Sequence, residues 1–111
     1  MDLKFQFKEK PTSSAENELL DILIEEAAEV QIRATKLKRF GPKEIQPGQE
    51  LNNIERLSME IGDLLFMIDL ASKHGLVSTE YIESGKESKH KQLKKFLKHQ
   101  ELLFDKSEAP N

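Results

Sequence analysis

Two stretches of this chain space their apolar residues at alternating intervals of three and four. The first reads Leu20, Leu23, Ala27, Val30, Ala34, Leu37, and the second Ile54, Leu57, Ile61, Leu64, Ile68, Ala71. A strand turns successive side chains to opposite faces, so it cannot gather such a set on one side. An α-helix can, and the spacing predicts two helices packed through these seams. With no convincing strand pair elsewhere, the chain is expected to be all-α, a helical bundle.

The punctuation agrees with the rhythm. Ser13 followed by Glu16 fits a capping box, and Gly41 with Pro42 stops the first helix, giving residues 13–40. Asn52 with Glu55 opens a second helix over 53–74, which Gly75 ends. The intervening 41–52 loop holds two prolines and two glycines, and exceeds the ~2–8 residues usual between bundle helices. It reads as a cover over a site, a crossover or a surface insertion. A third helix is expected over 78–103, weakened early by Gly85, with Leu93, Phe96 and Leu97 as its packing edge. Residues 1–12, with Leu3, Phe5 and Phe7 at period two, are expected to form an extended arm, and 104–111 a fraying tail. The 111 residues suit a single domain.

Composition narrows the classes. A hydrophobic share of 37% against 33% charged residues suits a narrow helical core, or one shared in an oligomer. The second helix points to the oligomer, since Leu65, Phe66, Met67 and Leu70 are apolar off its seam. A net charge of −3 argues against a general nucleic-acid binder, and the absence of cysteine removes disulfides and thiolate metal sites. The longest apolar run, "LLFMI" at 64–68, is too short to span a bilayer, and the N-terminus lacks the apolar core of a signal peptide. A cytoplasmic protein with no membrane or nucleic-acid partner is expected.

Each helix also carries acidic residues three apart beside its seam: Glu26 and Glu29, then Glu60 and Asp63. At 100° per residue, with Ala27 as zero, Glu26 falls near about 260° and Glu29 near about 200°. With Ile61 as zero, Glu60 and Asp63 take the same two angles. An antiparallel pairing through the seams can bring the two acidic stripes to one edge of the core. Two like charges 4 Å apart repel by about 1 kcal/mol in water and about 4 kcal/mol at an effective dielectric of 20. Protonation or a hard cation must relieve such a cluster. All-oxygen ligation without histidine or cysteine points to Mg²⁺ or Mn²⁺. The competing reading is a pair of solvated acidic faces, which Glu25, further outward, fits.

"EEAAE" at 25–29 followed by "EIGD" at 60–63 resembles the EExxE…ExxD signature of the MazG-like all-α nucleoside triphosphate pyrophosphohydrolases, related to the dimeric dUTPases. The resemblance covers about residues 17–72 and weakens in the third helix; the spacer is longer than in the most compact members. It implies Mg²⁺ at Glu26, Glu29, Glu60 and Asp63, and hydrolysis of an NTP or dNTP to the monophosphate and pyrophosphate. Glu25 or Glu29 would then accept the proton of the attacking water. A triphosphate also calls for cationic or amide donors, and the candidates are Arg33, Lys36, Asn53, Lys86 and Lys89. Each has a structural alternative: a Glu29–Arg33 surface pair, a helix cap at Asn53, a solvated basic face for the two lysines of the third helix. The competing function is a non-catalytic helical oligomerisation module, or a regulatory module that binds nucleotide without turnover.

Overall fold

In the computed structural model, the described residues are 11–96 and 98–104, and they contain helices and no strand. Four helices follow one another: α1 (Ser14–Phe40), α2 (Asn53–Lys73), α3 (Thr79–Phe96) and the single turn α4 (Gln100–Leu103). Residues up to Leu76 form one compact unit and those from Val77 onward another. The expected arm and tail fall almost entirely outside the described residues.

Local chemistry sets the ends. The Ser13 Oγ accepts from the Glu16 N–H at 3.2 Å, and the Glu16 carboxylate accepts from the Ser13 N–H at 2.8 Å. Asn52 and Glu55 repeat this reciprocal box at 2.9 and 3.0 Å. Each box satisfies two backbone donors that a helix start leaves without partners. After α2, Gly75 adopts φ 73°, the Leu76 N–H reaches the Ala71 carbonyl and the Gly75 N–H reaches that of Ser72. This is the paired bonding of a Schellman stop, which needs a left-handed residue and hence favours glycine. Ser78 caps α3 by accepting from the Tyr81 N–H. The segment expected as one helix over 78–103 is instead α3, a turn at Lys98 and His99, and α4. Five lysines between positions 86 and 95 leave α3 a narrow apolar edge, so little burial favours a longer rod.

In the first unit α1 and α2 run antiparallel, since their contacts march in opposite directions. Gly41 meets Asn53 next to the loop, and Glu26 meets Glu60 further along. Beside Leu20, Ala27 and Ile68, which stay half-buried, the covered rows run through Leu19, Leu23, Glu26, Val30, Arg33 and Leu37 on α1 and through Asn53, Leu57, Glu60, Leu64, Met67 and Ala71 on α2. Both follow the same four-three rhythm. Relative to the seams expected from sequence, each helix is rotated by roughly 50° toward its acidic stripe. Ile54, expected in the core, is therefore 49% exposed, and Ile61 is exposed as well. With Leu65 at 55% and Phe66 at 65%, they leave α2 with a broad apolar surface.

The loop explains part of that rotation. The Asn53 side chain, only 2% exposed, donates from Nδ2 to the Gly41 carbonyl at 2.9 Å and to Glu44 Oε1 at 3.3 Å. Arg56 donates from Nη1 to Gln46 Oε1 at 2.8 Å. These bonds tie the 41–52 loop to the first turn of α2 and fix which face of α2 turns inward. Among the described residues, no helix is long and apolar enough to cross a membrane.

Candidate metal centre

The rotation makes Glu26 and Glu60 seam residues instead of flanking ones. Both are half-buried, and Asp63 lies one turn along α2 at the exposed edge. One carboxylate oxygen from each of Glu26, Glu60 and Asp63 lies within 4.8 Å of the others. Glu29, also half-buried, is not part of this trio, yet its charge is felt at Glu60.

Glu60 registers the crowding. Its carboxyl is held above the ordinary 4.5 by desolvation first, then by a side-chain hydrogen bond with Glu26, then by the negative charges of Glu26, Asp63 and Glu29. A proton shared by two carboxylates is what this environment favours when no cation balances it.

The donor set fits a hard divalent cation. Opposed oxygens around Mg²⁺ stand about 4.2 Å apart, twice the ~2.1 Å bond length. Adjacent oxygens stand closer, about 3 Å apart, so three oxygens within 4.8 Å of one another must draw together by side-chain rotation to share one ion. There is no nitrogen or sulfur donor in the trio, which suits oxygen-seeking ions over zinc.

The other candidate residues are distributed differently. Glu25 is exposed on the outer flank of α1. Arg33 sits in the seam one turn beyond Glu29; its Nη1 is buried and lacks a hydrogen-bond partner among the described residues. It makes no ion pair with Glu29. Lys36 lies over the Phe40 ring, 5.6 Å from its centroid, and Arg39 flanks the same ring at 5.2 Å. Asn53 is engaged by the loop through its amide nitrogen. Lys86 and Lys89 belong to the second unit, on α3, where they bind Glu83 and Gln92 at 2.9 Å each. Sequence reasoning therefore found the carboxylates but not the Glu26–Glu60 contact or the desolvated Arg33. The four-three rhythm of residues 19–37 carried the signal for both, had Glu26 and Arg33 been admitted as seam positions.

Comparison with protein-family models, with curated proteins and with solved structures finds no match for this chain.

Proposed function

We propose that this protein is a Mg²⁺-dependent nucleoside triphosphate pyrophosphohydrolase of the MazG-like type, acting on the cytoplasmic nucleotide pool. The observation that carries the reading is the convergence of Glu26, Glu60 and Asp63 from two helices, with one carboxylate oxygen of each within 4.8 Å of the others. The resemblance of Glu25–Glu29 and Glu60–Asp63 to the EExxE…ExxD signature supplies the chemistry.

In this reading Glu26, Glu60 and Asp63 hold Mg²⁺, with Glu29 as a fourth oxygen donor from the same edge. The ion, when bound, neutralises phosphate charge and lowers the pKa of the attacking water. Arg33 offers a desolvated Nη1 donor with no hydrogen-bond partner among the described residues, and a phosphate oxygen would satisfy it. Glu29, half-buried beside the trio, is better placed than exposed Glu25 to accept the proton of that water. Lys36 remains a candidate phosphate contact in the same unit. Mn²⁺ would substitute for Mg²⁺, having the same preference for oxygen.

The broad apolar surface of α2 supports self-association, as a homo-oligomer that buries Leu65 and Phe66 against another copy. That same surface favours the alternative reading, a helical assembly or nucleotide-binding regulatory module without turnover. One assay separates them: pyrophosphate release from a panel of NTPs and dNTPs, with Mg²⁺ and with EDTA. Glu26→Gln and Asp63→Asn are each expected to lower Mg²⁺-dependent turnover at least a hundredfold while helicity is retained. Absence of release from every nucleotide, or near-normal turnover in both variants, overturns the hydrolase reading.

A further inference from the structure

The charges of α1 divide along its length, and on its outer surface the division leaves a pattern that contact with α2 does not use. From Ser14 to Val30 the helix holds six acids and no base; from Gln31 to Phe40 it holds Arg33, Lys36, Lys38 and Arg39 and no acid. The helix macrodipole favours this polarity only within the first and last turns. Those turns contain Glu16, Lys38 and Arg39 alone, so Asp21 and Glu25 lie too far inside for that explanation.

Asp21, Ala28, Ile32 and Arg39 lie within about 40° of one another on the helix wheel, and all four are exposed. Their spacing is seven, four, seven, which reads the same in both directions, with opposite charges at its ends. Such a stripe is complementary to itself when run antiparallel: Asp21 meets Arg39 of a second copy, and Ala28 meets Ile32. Ala28, being small, lets the two axes approach to about 8 Å. A shallow depression lined by Gln31, Ile32, Thr35 and Lys36 opens on the same side. Ile24, 62% exposed, stands as far before residue 30 as Lys36 stands after it. Antiparallel pairing seats Ile24 of each copy in the other's depression.

We propose that α1 is a self-docking surface that pairs antiparallel with α1 of a second copy across a two-fold axis near residue 30. The proposal deepens the self-association reading above by naming a surface; Glu26 lies on the opposite side of α1, so the pairing leaves the carboxylate trio uncovered, and of the candidate phosphate contacts it engages Lys36 alone. One helix pair buries less than the roughly 1,000 Å² of a stable interface, so this contact by itself is a weak one. Its ionic ends make it weaken as salt is raised.

The test uses the absence of cysteine from the chain. With Asp21→Cys and Arg39→Cys combined, a short bis-maleimide is expected to link two chains. Either single variant is expected not to link, because each cysteine stands about 27 Å along the axis from its symmetry mate, 18 residues at 1.5 Å. In parallel, D21R and R39D are each expected to weaken association about tenfold in low-salt sedimentation, and the D21R/R39D double to recover it. Linking as strong in a single variant, or association unchanged by all the charge variants, overturns the proposal. So does a link that forms only after residues 1–10 are deleted, since the chain's own terminus then covers the stripe. An oligomer without the link defeats this surface alone, whereas a chain that sediments as a monomer defeats the self-association reading as well.

Discussion

Glu60 is a carboxyl whose proton affinity the fold raises, and the direction of that change can be tested. Desolvation and then Glu26 raise its folded-state pKa above 4.5, the value it regains on unfolding. The folded protein therefore holds a proton more tightly than the unfolded chain does. Stability from this group is fully present below pH 4.5 and is lost as pH rises through the raised value. Without divalent cation, the melting temperature is expected to fall on going from mildly acid to neutral pH. Mg²⁺ replaces the proton as the balancing charge and is expected to remove the fall. Relieving one like-charge contact at 4 Å is worth about 1 kcal/mol in water, or about 4–8 °C for a domain under a hundred residues. Glu60→Gln is expected to flatten the same profile in EDTA. A profile in EDTA that is flat for the unsubstituted protein would show that the carboxylates are not close in solution.

At the scale of elements, the α2 start and the loop before it behave as one piece. Asn52 caps the helix, and Asn53 binds the loop back onto it through Gly41 and Glu44. Removing the Asn53 amide leaves a carbonyl without its donor in a nearly closed site, a cost of about 1–3 kcal/mol. Asn53→Ala is expected to lower the melting temperature by roughly 5–20 °C on the scaling for small domains. A latch and a substrate contact separate in the kinetics. For a latch, KM for nucleotide at a temperature where the variant is folded changes less than threefold. A tenfold rise in KM with an unchanged melting temperature would make Asn53 a nucleotide contact instead.

For the whole molecule, the limiting fact is how little of the first unit is closed from solvent. Met67, at 8% exposure, and Ala71 are its buried apolar residues among those described, while Ile54, Leu65 and Phe66 stand open on α2. Exposed apolar side chains gathered on one helix are the basis of the proposed self-association. Sedimentation at micromolar concentration is expected to give a homo-oligomer, and Leu65→Asp, placing a charge in that surface, is expected to reduce its mass to a smaller species. Because Leu65 is exposed in the single chain, the variant should keep its helical circular dichroism. A monomer before substitution, or an unchanged mass after it, would leave α2 without its proposed partner.

The sequence by itself determined what depends on neighbours a few residues away. The capping boxes at Ser13 and Asn52, the stop at Gly75 and the acidic pairs on two helices are local, and all were legible from spacing and residue type. The class of fold followed from the same periodicity. Tertiary structure decided the rotation of the two helices, and with it the site. A 3.6-residue period admits neighbouring seams roughly 50° apart, one through Ala27 and Ile61, the other through Glu26 and Glu60. Hydrophobicity favours the first. The second is adopted where Asn53 ties α2 to Gly41 and Glu44, contacts nine to twelve residues apart in sequence that no helical repeat encodes. That turn of each helix is what sets Glu26 against Glu60 and carries Arg33 into the seam beside them.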